Sequence, residues 1–104
     1  MCGWEGTVSQ LVGELSRIVR DESWAGPSPN VRLIRKYTQL GVVDRPVRRG
    51  REAYYDFRHL SQFMATRWML QDGWLLAKIA EVTATRSTPD LLSIIPEAPS
   101  NAAL

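Results

Sequence analysis

Val8, Leu11, Val12, Leu15, Ile18 and Val19 recur at intervals of three and four through residues 7–21, which predicts one apolar stripe on a helix. Thr7 or Ser9 is placed to cap its start. Gly26, Pro27 and Pro29 then interrupt the pattern, so residues 23–30 read as a connector. A second helix is expected over about Val31–Leu40, capped by Asn30 and ended by Gly41. Its apolar positions are Leu33, Ile34, Tyr37 and Leu40. Arg32, Arg35, Lys36 and Gln39 share another face at i, i+3, i+4 and i+7. Between Val43 and Asp56 the pattern changes to two extended segments around Arg49-Gly50-Arg51, where Gly50 supplies the positive φ of a tight hairpin. Helical spacing resumes near Phe57 and runs through Leu60, Phe63, Met64, Arg67, Trp68 and Leu70 or Gln71 to a stop at Asp72-Gly73. A last helix from Trp74 to about Thr83 is expected to bury Leu75, Leu76, Ile79 and Val82, with Trp68 and Trp74 in the core.

This order predicts a mainly α domain of the winged helix-turn-helix class, with four helices and a two-stranded β-hairpin wing between helices 2 and 3. The expected boundaries are 5–85 for the domain and 86–104 for a C-terminal tail. Pro89, Pro96 and Pro99 preclude a long helix in that tail, Asp90 to Ile95 is expected to form at most a short turn, and disorder is expected beyond Pro96.

Composition limits the function. A chain of 104 residues with 44% apolar content can build one core. The formal charge of +2 conceals an uneven distribution: residues 32–58 hold eight Arg and Lys against three carboxylates, a net +5 that leaves −3 for the remainder. Such a face suits phosphates. Cys2 is the single cysteine and His59 the single histidine, so no disulfide, cysteine metal cluster or histidine metal site is expected, and His59 reads as structural. Asp21, Glu22, Asp44, Asp56 and Asp72 fall at helix ends and turns, where capping accounts for them, and no catalytic set stands out. With no membrane-spanning run and no signal peptide, a cytoplasmic protein without cofactor or metal is expected.

Four short motifs sharpen the picture. Val12-Gly13-Glu14-Leu15 resembles the opening of the first helix in the MerR family of bacterial regulators. Val31-Arg32-Leu33-Ile34-Arg35-Lys36-Tyr37 with Leu40-Gly41-Val42-Val43 resembles that family's second helix and the residues after it. Gly50-Arg51-Glu52-Ala53-Tyr54-Tyr55-Asp56 is similar to its wing, and Leu70-Gln71-Asp72-Gly73-Trp74-Leu75-Leu76-Ala77-Lys78-Ile79 to its helix 3 to helix 4 junction. Together these cover about residues 11–83. Glu14 and Arg32 lie further apart than the family's tight turn allows, so a longer first helix and an inserted loop holding Trp24 are expected. The family's coiled coil and effector domain are expected to be missing after Val82, and metal sensing is not expected.

The resemblance implies double-stranded DNA as partner, with the second helix in the major groove. Arg32, Arg35 and Lys36 are its candidate contacts, and their type and spacing leave guanine edges and phosphates equally open. Arg45, Arg48, Arg49 and Arg51 crowd the hairpin, where like charges repel unless an anion is near. Tyr37, Tyr54 and Tyr55 are candidates for phosphate contact or for core. Arg58 is a candidate for backbone contact or for an internal pair with Asp56 or Glu52. Trp4, Trp24, Leu91, Leu92, Ile94 and Ile95 are candidates for contact with a second copy or a protein partner. The expected function is a sequence-specific DNA-binding transcriptional regulator. The alternatives are a protein-binding adaptor of the chaperone-modulator type and an excisionase-like architectural factor.

Overall fold

The computed structural model describes residues 3–20 and 28–95. The order is β1 (Glu5–Gly6), α1 (Val8–Arg20), α2 (Val31–Gln39), β2 (Val47–Arg49), β3 (Glu52–Asp56), α3 (Phe57–Gln71), α4 (Leu76–Thr85) and α5 (Thr88–Ile94). Mainly helical architecture is as expected. Among the described residues it contains five helices rather than four, and a three-stranded antiparallel sheet in the order β1-β3-β2 rather than a lone hairpin.

Local chemistry sets the helix ends. Before α1, the Thr7 hydroxyl accepts from the Gln10 N–H at 3.4 Å, and the Gln10 side chain accepts from the Thr7 N–H at 2.8 Å. Asn30 caps α2 by accepting from the Leu33 N–H at 2.8 Å. Asp56 caps α3 by accepting from the Arg58 and His59 N–H groups, while His59 Nδ1 accepts from the Asp56 N–H at 2.9 Å. His59 is therefore structural, as expected: its Nδ1 also lies 2.9 Å from the Asp56 carboxylate, and its Nε2 lies 3.1 Å from the Arg45 carbonyl. Gly41 and Gly73, at φ 81° and 93°, end α2 and α3, where Val42 and Trp74 donate back to the Tyr37 and Met69 carbonyls. The quartet Val12-Gly13-Glu14-Leu15 lies inside α1 rather than at its start, because capping occurs one turn earlier, at Thr7.

The third strand depends on a close approach. Glu5 pairs with Asp56 and Gly6 with Tyr55, laying β1 along the free edge of β3. A Cβ at buried Gly6 would sit 2.9 Å from Gln10 Cβ and 3.0 Å from Trp4 Cζ2, so only glycine fits between them. No sequence pattern of two residues announces such a strand.

The core centres on α3, which is buried on nearly every side between α4, α5, the sheet and α2. Leu11 and Leu15 from α1, Ile34 and Tyr37 from α2, Ile79 from α4, and Leu91 and Ile95 close around Leu60, Phe63 and Met64. Two hydroxyls on α3 are satisfied inside this core: those of Ser61 and Thr66 donate to the Phe57 and Gln62 carbonyls at 2.8 and 2.7 Å.

Four expectations change here. The expected domain limit at residue 85 is too early, since α5 inserts Leu91 into the core. Pro89 is tolerated because it occupies the first turn of α5, where its missing N–H costs no helical bond. The partner role expected of Leu91 and Ile95 is thereby corrected: both are buried, and the half-buried Leu92 and Ile94 pack against the same core. Trp74 and Leu75 precede α4 in non-helical backbone and stand 44% and 74% exposed, so neither is the core residue expected. Leu40, at the end of α2, is also exposed. Trp68 is half-buried against the core. Trp24, Asp21 and Glu22 lie outside the described residues, as does everything after Ile95.

Candidate nucleic-acid interface

The polar stripe of α2 forms as its spacing predicts. Arg32, Arg35, Lys36 and Gln39 are exposed, while Ile34 and Tyr37 anchor the opposite face. Tyr37, proposed from sequence as a phosphate contact, is corrected to a core residue. It is 3% exposed, its ring lies 5.5 Å from that of Phe63, and burial raises its pKa while the Arg67 charge opposes the shift.

The hairpin turns at Gly50, whose φ is 65°, and pairs Val47 with Tyr54, Arg48 with Ala53 and Arg49 with Glu52. Pleating sends neighbouring side chains to opposite faces. Arg48, Ala53 and Tyr55 therefore face α2, and Arg49 and Tyr54 face away, while Glu52 at the hairpin end also lines the groove beside α2. On the α2 side, Arg35, Arg48, Arg51, Thr38, Gln39 and Tyr55 line a groove of about 430 Å³ between helix and wing. Burial raises the pKa of Tyr55, and the charges of Arg35 and Arg48, which line the same groove, oppose that shift. Arg32, Arg35, Lys36, Arg45, Arg48 and Arg51 enter no ion pair among the described residues. Arg45 is exposed on the connector between α2 and β2.

Two arginines proposed for DNA have internal partners. Arg49 meets Glu5 of β1 through two bonds of 2.8 and 2.6 Å, and its guanidinium lies 4.8 Å from the centre of the Tyr54 ring. The hydrogen bond and charge of Glu5 raise its pKa. Arg58 pairs with neither Asp56 nor Glu52. It donates to Asp44 at 2.9 Å, to the Thr83 carbonyl at 3.1 Å and to the Thr88 hydroxyl at 3.4 Å. Sequence reasoning missed Glu5, Gln62 and Thr83, because none stands near its partner along the chain. Trp4 is half-buried and packs against the core.

What the arrangement offers is a convex helix face bearing cations beside a cationic groove, with no described group of three or more His, Cys, Asp or Glu able to hold a metal. No described helix is long and apolar enough to cross a membrane. The family model described as MerR HTH family regulatory protein matches residues 28–85, the stretch from the connector before α2 to the end of α4. No curated protein and no solved structure matches the chain. Since the match takes in more than half the chain, with the helix, wing and α3–α4 junction in the family's order, this protein belongs to the MerR family of helix-turn-helix regulators.

Proposed function

We propose that the protein is a sequence-specific transcriptional regulator that sets α2 into the DNA major groove and straddles the adjoining phosphates with its wing. The observation that carries this reading is the groove between α2 and the wing, which Arg35, Arg48 and Arg51 line with Glu52 as its one lining carboxylate, and where none of the three arginines enters an ion pair among the described residues. Mutual repulsion among cations held this close is relieved when an anion enters, so phosphate binding and wing placement support each other. Arg32, Arg35 and Lys36 then lie along the helix face that meets base edges and backbone. Single modules of this size bury about 600–1,000 Å² on DNA and gain useful selectivity by pairing. We therefore place two copies, or one copy and a protein partner, on the operator.

Selection of bound fragments from genomic DNA, followed by titration of the selected site against salt, tests the proposal. Enrichment of a defined sequence with a strongly negative salt slope is the expected result. Binding that ignores sequence but bends DNA would favour the architectural alternative. Failure to bind at low salt, with stable capture of one protein, would favour the adaptor.

A further inference from the structure

We infer that Arg49 is not a phosphate ligand but one half of a clasp, and that Glu5 is a positioning residue that holds the wing in its DNA-ready placement. The inference rests on the DNA-binding reading above and assigns the wing arginines different work.

The geometry comes from the pleat. In the order β1-β3-β2, Glu5 lies opposite Asp56 at one end of β3, and Arg49 lies opposite Glu52 at the other. Glu5, Arg49 and Asp56 occupy the face turned away from α2, as does Tyr54, midway between Glu52 and Asp56. The Arg49 side chain thus runs diagonally across all three strands, over the Tyr54 ring, and ends in a two-bond fork on the Glu5 carboxylate. Arg48, its neighbour, points the other way into the groove with Arg35. Two adjacent arginines therefore face opposite sides of the sheet.

The wing needs such a tie. Every residue of β2 is exposed, so no β2 side chain is buried in the core and the strand depends on its ladder to β3. A two-stranded ribbon alone is marginal in water. The Glu5 fork and the stacked Tyr54 ring add the second attachment, from β2 across to β1. An exposed ion pair is individually weak, but planar two-bond geometry over an aromatic ring is the favourable case. On this account Arg49 contributes no counterion release, since Glu5 already neutralises it.

The decisive comparison uses the full chain with Glu5→Gln, Arg49→Gln, Arg48→Gln and the exchanged pair Glu5→Arg with Arg49→Glu. Affinity for a selected duplex and its salt slope are measured together. Glu5→Gln and Arg49→Gln should each weaken binding by about three- to five-fold with the slope unchanged, and the exchanged pair should recover most of the loss. Arg48→Gln should instead reduce the slope by about 1. Tighter binding by Glu5→Gln, or a reduced slope in Arg49→Gln that the exchanged pair fails to restore, would show that Arg49 serves phosphate and would overturn the clasp.

Amide hydrogen exchange of Arg49 and Tyr54, whose N–H groups point into the β2–β3 ladder, gives a second readout in the free protein. Faster exchange in Glu5→Gln that the exchanged pair slows again supports the clasp, and unchanged exchange rejects it. Absence of any DNA binding by the wild-type chain would remove the regulator reading, while this exchange measurement would still decide the clasp.

Discussion

Arg58 at the start of α3 and Asp44 on the connector after α2 meet at 2.9 Å, although they lie fourteen residues apart. Gln62, one turn further along α3, completes the junction: its side-chain oxygen accepts from the Asp44 N–H at 2.8 Å and its amide donates to the Thr83 carbonyl at 3.0 Å. Arg58 donates to that same carbonyl. One polar junction thus ties the connector after α2 to α3 and to the C-terminal turn of α4.

Gln62→Ala should lower stability by about 2–3 kcal/mol. Gln62 is fully buried, and its loss strands the Asp44 N–H and leaves a small cavity. Thermal unfolding should show a midpoint lower by on the order of 10–20 °C. A change of under about 0.5 kcal/mol would mean that water replaces both bonds without penalty.

The junction should also weaken in acid. Burial pushes the pKa of Asp44 up, but contact with Gln62 and the hydrogen bond and charge of Arg58, with His59 adding to them, outweigh burial and leave it below the usual carboxylate value. A folded-state pKa that is lowered contributes stability above the unfolded value of about 4, and that contribution is lost as pH falls through the folded one. The stability difference between wild type and Asp44→Asn should therefore be level near neutrality and shrink below about pH 4. A difference that grows on acidification contradicts this sign.

Arg48→Gln combined with Arg51→Gln should lower DNA affinity on all sequences alike and reduce the salt slope by about 2, because both side chains line the groove and neither enters an ion pair among the described residues. Arg32→Ala should instead alter which base is preferred, read by repeating the fragment selection. An unchanged slope in the double variant would remove the groove from the interface.

Gly6→Ala should cost about 1–3 kcal/mol, because its new methyl must displace Gln10 or Trp4. Detachment of β1 should accompany it, seen as faster amide exchange at Tyr55, which pairs with Gly6. Wild-type stability together with wild-type exchange would show that β1 shifts at no penalty.

The sequence by itself determined whatever rests on neighbours along the chain. Asn30 caps α2 because its side chain reaches an N–H three residues on, and Gly41, Gly50 and Gly73 turn the backbone where positive φ is needed. The 3.6-residue period of Arg32, Arg35, Lys36 and Gln39 produced the exposed stripe, and the clustering of arginines announced a basic hairpin. Those signals are local, so they survive without knowledge of packing.

Only the tertiary structure decided how the charges are used. Alternation along β2 separates Arg48 from Arg49, yet which of them faces α2 depends on the register with β3, and the partner of Arg49 lies forty-four residues away. Tyr37 turned inward because α2 rests on Phe63, and Leu91 joined the core because α5 folds back on α3. Trp74 was left outside because the backbone turns at Gly73 before α4 begins. Each outcome depends on contacts between elements distant in sequence, where loop closure brings together groups whose spacing carries no pattern.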